Sequence, residues 1–280
     1  MIIWLASYPK SGNTWVRSII SSLLYTNDGI FNFDLLDKIQ KFPKNNHFRE
    51  FTNDLENFEE IQKYWIAAQE KLNTDKKIKF LKTHHINCKI IQYYFTNKQN
   101  SLATIYIVRD PRNLVNSISN HYNKSVIDAK DFLLKPRFIM GHKKDESNKK
   151  FLKTLLGTWS EHYNFWKKDN NDFLLIKYED LINDTEKELK KIIEFLRKYM
   201  KIITDDIKNK NIIQSTSFER LQSLEEQGKF HENAHISSTI KKKFFHLGPK
   251  NKWEKNLKRE IKEEIENKFL AEMKELGYLK

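Results

Sequence analysis

Apolar and polar positions along the chain form short continuous apolar runs that alternate with stretches of helical period. Ile2 to Ala6 is an apolar run of strand length. Behind it Trp15, Val16, Ile19, Ile20, Leu23 and Leu24 recur at helical spacing, with Asn13 and Thr14 placed to cap the helix. Ile78 to Thr83 and Ala103 to Val108 read as second and third strands. The third is followed by Pro111 at a suitable first helical position and by Leu114, Val115, Ile118 and Tyr122 on one face. A helix is predicted over Phe151 to Trp166, with Leu155, Trp159, His162 and Trp166 on its packed side; a fourth strand over Phe173 to Lys177; and an amphipathic helix over Thr185 to Tyr199. Gln227 to Leu247 lacks a clean period, and Trp253 to Leu276 reads as a charged C-terminal helix.

Two stretches depart from this alternation. Residues 27–77 carry a helix around Glu59 to Leu72 and no clear strand, and residues 125–150 are mixed and lysine-rich, so both read as insertions. No repeat, proline-rich linker or compositional break marks a boundary. The expectation is one α/β domain over residues 1–280, with a mainly parallel central sheet flanked by helices.

Composition supports a folded chain. The 280 residues are 39% hydrophobic, 13% aromatic and 31% charged, too apolar for a disordered protein. Cys88 is the only cysteine, which excludes an internal disulfide and a zinc site built on paired thiolates. No window approaches the roughly 20 apolar residues of a membrane span, and a reducing cytoplasm fits best. The formal net charge of +13 admits an anionic partner, although an AT-rich genome would also enrich lysine. Nucleic acid would require basic residues on one face with aromatics between them; here the charges are scattered and mixed with acids, so no nucleic-acid partner is expected.

Ligands of parallel sheets bind at the carboxyl ends of the strands, where the unusual residues of this chain collect. Lys10, Ser11, Gly12, Asn13 and Thr14 precede a helix and offer backbone N–H groups, a hydroxyl and a fixed positive charge to an anion. This is not the nucleotide triphosphatase loop G-x-x-x-x-G-K-[ST], because Lys10 precedes the only glycine. A nucleotide kinase, the alternative enzyme, would need that glycine-framed loop and Mg²⁺.

The segment Tyr8-Pro9-Lys10-Ser11-Gly12-Asn13-Thr14-Trp15 instead resembles the 5'-phosphosulfate loop of the sulfotransferases that use 3'-phosphoadenosine 5'-phosphosulfate (PAPS). The resemblance, to the cytosolic type and of bacterial character, continues along the chain and implies a P-loop-kinase-like fold. Arg109 with Ser117 matches the family's 3'-phosphate grip. Tyr178 in Ile176-Lys177-Tyr178-Glu179-Asp180-Leu181 matches the tyrosine that approaches the adenine, and Phe218, in Thr216-Ser217-Phe218, would sandwich the adenine with Trp15. Phe244-Phe245-His246-Leu247-Gly248, followed by Trp253, matches the family's Arg-Lys-Gly segment over the 3'-phosphate. There His246 and Leu247 replace the arginine and lysine, with Lys241, Lys242, Lys243 or Lys250 as the available compensation.

The resemblance implies sulfonyl transfer from PAPS, without a metal, to a hydroxyl or less readily an amine of a small metabolite or glycan, leaving 3'-phosphoadenosine 5'-phosphate (PAP). Transfer needs a base for the acceptor's proton and a cation for the leaving oxygen. By register with the family's Lys-Thr-His segment, His84 is the base, Lys10 stabilises the leaving oxygen, Lys82 holds the sulfonyl group, and Ser117 bonds Lys10 before an acceptor arrives. His85 is the alternative base, and strand alternation lets at most one of the two histidines face the site. His162 reads as part of a packed helix face and His121 is left unassigned. The acceptor site is expected from residues 27–72, the His84-His85 end and residues 125–150, with Phe31, Phe33, Tyr122 and Phe138 against an apolar group; a homodimer stays open.

Overall fold

The computed structural model describes residues 1–136, 139–140, 152–168, 172–230 and 243–280. Its central sheet has five strands, β1 (Ile2–Ser7), β2 (Gln40–Lys41), β3 (Lys79–Thr83), β4 (Ser101–Val108) and β5 (Asp172–Lys177), in the order β2-β3-β1-β4-β5. β1 pairs in parallel with β3 from Ile2↔Lys79 to Ala6↔Thr83, and β2 pairs in parallel with β3. All six residues of β1 are buried, as a strand covered on both faces must be, which is why it reads as an unbroken apolar run. The outermost strand, β2, escapes a periodicity reading because it is two polar residues long.

The main helices are α1 (Asn13–Tyr25), α2 (Trp65–Leu72), α3 (Pro111–Tyr122), α4 (Val126–Leu134), α5 (Trp159–Lys167), α6 (Tyr178–Asn183), α7 (Thr185–Arg197), α8 (Asp206–Ser215), α9 (Phe218–Glu226), α10 (Arg259–Lys268) and α11 (Leu270–Glu275). Several differ from the sequence expectation. The helix around Glu59 to Leu72 is broken by a 3₁₀ turn at Gln62–Tyr64. α5 begins at Trp159 rather than 151: Thr154–Leu155 is extended, and Thr158 forms a reciprocal capping box with Glu161 that starts the helix. Residue 151 itself lies outside the described residues. α8 and α9, which have no counterpart in the sequence reading, are separated by Thr216 and Ser217, and Ser217 caps α9. The C-terminal helix is divided because Leu257 and Lys258 are extended and Phe269 leaves helical geometry where it is buried.

The chain forms two compact units, each assembled from three sequence segments. The first comprises Met1–Tyr8, Ile39–Tyr106 and Lys135–Leu175. Its core centres on Trp4, whose ring lies 5.7, 5.6 and 5.9 Å from Phe42, Phe95 and Trp166 and whose indole N–H donates to Ser101 Oγ at 2.8 Å. The second comprises Pro9–Lys38, Ile107–Leu134 and Ile176–Lys280. In it the buried Arg112 pairs with Asp110 at 2.6 Å and with Glu266, and lies 4.0 Å from the Trp253 ring. That arrangement pins α3 to the C-terminal helices with paired charge, so this buried guanidinium is not left uncompensated.

Thr158→Ala removes one side of the capping box and is expected to lower stability by about 1 kcal/mol, read as a shift in the urea midpoint with an unchanged slope.

Candidate functional site

In the second unit the loop after β1 is bent by two left-handed residues, Lys10 at φ 68° and Gly12 at φ 101°. Gly12 is required twice over. Its φ is unfavourable for any side chain, and a Cβ there would stand 2.6 Å from Tyr178 Cδ2. The helix that follows, α1, has no side-chain cap and no acid in its first turn, so its positive dipole end and first-turn amides are not neutralised by the helix itself. Ser11, Asn13, Thr14 and Trp15 are all buried. Lys10 Nζ lies 3.5 Å from the centre of the Phe244 ring, an aromatic contact the sequence reading did not foresee.

Arg109 ties four of the predicted segments together. Its guanidinium lies 4.0 Å from the Tyr178 ring, while Nη1 donates to Lys10 O at 3.3 Å and Nη2 reaches Gly248 O at 3.5 Å. Tyr178 in turn meets Trp15 edge-on at 5.7 Å. The neighbouring Asp110 is engaged by Arg112, so the local Arg109–Asp110 pair suggested by adjacency in sequence is not what forms. Ser11 Oγ, Trp15 Nε1 and Arg109 Nε are buried and have no hydrogen-bond partner among the described residues. All three can donate, so the region suits an acceptor-rich anion such as phosphate or sulfate.

Gly248, at φ 50°, packs so closely on Phe218 that a Cβ would stand 2.3 Å from the ring. Phe218 also meets Phe245 edge-on at 6.1 Å. Thus Trp15 and Phe218, expected to share one adenine, make their ring contacts with different neighbours. Thr216 is fully buried and its hydroxyl donates to Ile212 O at 2.8 Å. Ser117 is half-buried on α3. His246 is exposed, Leu247 is half-buried at the start of a 3₁₀ turn, and the backbone carbonyl of His246 accepts from Gln222 at 3.2 Å. Of the lysines that could replace the missing cations, Lys243 is paired with Glu226 at 2.7 Å, Lys250 is exposed, and Lys241 and Lys242 lie outside the described residues. Among the aromatics expected at an acceptor, Phe31 and Phe33 are buried and 5.3 Å apart, Tyr122 stacks on Phe132 at 5.3 Å, and Phe138 lies outside the described residues.

The two candidate bases lie in the first unit. His84 and His85 follow Thr83, the last residue of β3. His84 is half-buried, and its Nδ1 lies 2.7 Å from Ser7 O, so that nitrogen carries the proton and Nε2 carries the lone pair. Burial first, and then the positive charge of Lys82, hold its pKa well below the ordinary histidine value. Lys82, half-buried, stands two residues before His84, near enough for its charge to act on the ring. His85 is fully buried; its ring stacks on Phe95 at 4.3 Å and meets Trp65 at 4.7 Å. Its Nδ1 donates to Ile86 O at 2.7 Å, and burial lowers its pKa to about 4.

A model of the sulfotransferase domain matches residues 2–277, and the chain belongs to that family. It is 25% identical over 206 residues to a 3-beta-hydroxysteroid sulfotransferase of Cavia porcellus, covering 70% of this chain and 58% of that protein. It is 24% identical over 260 residues to sulfotransferase 1B1 of Canis lupus familiaris, covering 90% and 76%, and 26% identical over 237 residues to a luciferin sulfotransferase of Photinus pyralis, covering 79% and 56%. The match thus spans less than two thirds of some of these relatives. Among solved structures, a mouse sulfotransferase in complex with PAP superposes with a TM-score of 0.61 at 22% identity, covering 97% of this chain and 83% of that one. Retinol dehydratase in complex with retinol and PAP superposes with a TM-score of 0.60 at 16% identity, covering 98% and 81%. These likenesses establish the fold. Among the described residues no helix is long and apolar enough to cross a membrane, and no group of three or more His, Cys, Asp or Glu could hold a metal.

Gly12→Ala is expected to cost roughly 1–3 kcal/mol, from left-handed strain together with displacement of Tyr178, measured as a fall in the thermal midpoint.

Proposed function

We propose that the chain is a sulfotransferase that moves a sulfonyl group from PAPS to a hydroxyl of a small molecule and releases PAP. The observation that carries this reading is the set of buried donors without acceptors, Ser11 Oγ, Trp15 Nε1 and Arg109 Nε, around a left-handed loop at the start of α1. PAPS supplies an activated sulfonyl group on a phosphate oxygen and an aromatic base beside it. The loop amides and Ser11 would take the phosphosulfate end, and Trp15, Tyr178 and Phe218 would supply aromatic surface for the base. Arg109 would bind the 3'-phosphate through nitrogens now spent on two long backbone contacts.

His84 is assigned the role of base. With Nδ1–H given to Ser7 O, its Nε2 lone pair is the basic site, and it stays neutral through physiological pH because its pKa is depressed. In the transfer the acceptor oxygen bonds to sulfur, its proton passes to His84 Nε2, and the bond from sulfur to the phosphate oxygen breaks, with Lys10 opposing the charge that develops there. The Cavia porcellus and Photinus pyralis relatives are named for a hydroxysteroid and a luciferin, which supports a small organic acceptor over a glycan.

The deciding experiment incubates the protein with labelled PAPS and a panel of phenols, alcohols, amines and sugars. Label is expected in a hydroxyl compound; no labelled product and no thermal shift with PAP would dismiss the reading. His84→Ala should abolish turnover while PAP still binds. Arg109→Ala should weaken PAP more than adenosine 5'-phosphosulfate, which lacks the 3'-phosphate, as measured by titration calorimetry. Because the base must be unprotonated and its pKa is lowered, kcat/KM should rise with pH only below 6.5 and be flat on that account above it; a rise centred at or above 6.5 would remove His84 from the role.

A further inference from the structure

The parallel ladder between β1 and β3 ends at Ala6↔Thr83. The peptides of His84 and His85 lie beyond it, yet their carbonyls are held by side chains of α5. His162 Nε2 lies 3.1 Å from His84 O, and Trp166 Nε1 donates to His85 O at 2.9 Å, one helical turn further along. His162 is fully buried, and its other ring nitrogen, Nδ1, lies 2.8 Å from the Tyr106 hydroxyl on β4. The Tyr8 ring stands edge-on to it at 5.7 Å.

The proton positions follow from chemistry. A carbonyl can only accept, so His162 Nε2 carries the hydrogen and donates to His84 O. Burial drives the His162 pKa down to about 3, so the ring is neutral and Nδ1 must accept. Burial likewise raises the Tyr106 phenol well above its ordinary value, so it stays protonated and donates to Nδ1. The chain of bonds therefore runs in one direction, from the Tyr106 hydroxyl through His162 to the His84 carbonyl, while His84 itself donates from Nδ1 to Ser7 O. Tyr106 fixes the His162 tautomer and Ser7 O that of the His84 ring, while the bond from His162 holds the backbone of a residue that has already left the sheet. A packed helix face alone would not need a histidine at 162; a buried imidazole without partners would be costly.

We infer that His162, oriented by Tyr106, is a positioning residue that holds the His84 peptide so that the His84 ring donates from Nδ1 to Ser7 and presents Nε2 as the base. The inference rests on the sulfotransferase reading only for what Nε2 does, not for how the ring is held. A ring displaced by about 1 Å from a productive approach loses on the order of 100-fold in rate, so loss of the clasp should appear in kcat and leave donor affinity unchanged.

The test uses the full chain and two independent readouts. Two-bond ¹H–¹⁵N spectra of the histidine rings at pH 7, assigned with His84→Ala, should show His84 as the Nδ1–H tautomer and His162 as the Nε2–H tautomer. In His162→Phe, which keeps the ring volume but has no donor, His84 should average between tautomers and kcat should fall on the order of 10- to 100-fold with PAP affinity unchanged. His162→Gln, whose amide N–H reaches the Nε2 position, should recover most of the loss. Tyr106→Phe should shift the His84 tautomer in the same direction by a smaller amount. A folded His162→Phe with the wild-type His84 tautomer and kcat would overturn the inference. So would a His162→Gln variant that is folded but no better than His162→Phe. Should His162→Phe fail to fold, Tyr106→Phe and His162→Gln decide by the same two readouts. If the wild-type protein does not turn over PAPS, the functional reading fails, and the tautomer spectra still judge the clasp.

Discussion

A methyl group on residue 12 would overlap the Tyr178 ring, and the contacts around the start of α1 are built on that exclusion. Because Gly12 has no side chain, Tyr178 can lie against the loop. Its ring then offers an edge contact to Trp15 and a face to the Arg109 guanidinium. Arg109, held flat on that face, reaches backbone oxygens of residues 10 and 248, which are 238 positions apart in sequence. A second close glycine contact, Gly248 on Phe218, brings the C-terminal segment in. Two missing side chains thus decide which aromatic and cationic groups can approach the start of α1. The cost is two left-handed backbones, of order 1–3 kcal/mol for any residue other than glycine.

The polar groups at the same place show what the arrangement is for. Folding normally satisfies buried donors within the protein, since each one left unmade costs about 1–3 kcal/mol. Arg112 follows the rule, served by Asp110, Glu266 and the Tyr278 carbonyl, and so do Trp4, Ser101, Thr96 and Gln69, which form a buried chain of bonds; scattered exceptions such as Ser22 Oγ, Gln62 Oε1 and Thr104 Oγ1 have no partner among the described residues. What sets Ser11, Trp15 and Arg109 apart is that all three leftover groups are donors around one loop, the arrangement that the proposed anion would satisfy.

Much of this was legible in sequence because it is local. β1, β3 and β4 bury short apolar runs, β5 carries one that is largely half-buried, and the loop from Tyr8 to Trp15 is contiguous, so spacing and residue type were enough to find them. What was not legible depends on partners distant in the chain. The two polar residues of β2 become a strand only because β3 offers them an edge. Phe244 meets Lys10 across 234 positions, and α8 shows little apolar period because it buries mainly Ile212 while Ile207 is exposed. His162 was readable as a packed residue, and it is one; its hydrogen bonds to Tyr106 and to the His84 carbonyl required the fold.

Three histidines of the first unit, His84, His85 and His162, show how little residue type decides by itself. Burial is the leading cause that lowers the pKa of all three, so all three are neutral at pH 7 and charge does not distinguish them. Their hydrogen bonds do. His162 spends both ring nitrogens, one accepting from a phenol and one donating to a carbonyl, and so can only hold other groups in place. His85 spends Nδ1 on Ile86 O, and its Nε2 has no partner among the described residues, in a fully buried ring stacked on Phe95. His84 spends Nδ1 on Ser7 O and retains a lone pair on Nε2 in a half-buried ring. Of the three, only His84 combines a committed Nδ1–H with a ring that is not fully buried, which is what the proposed role of base requires.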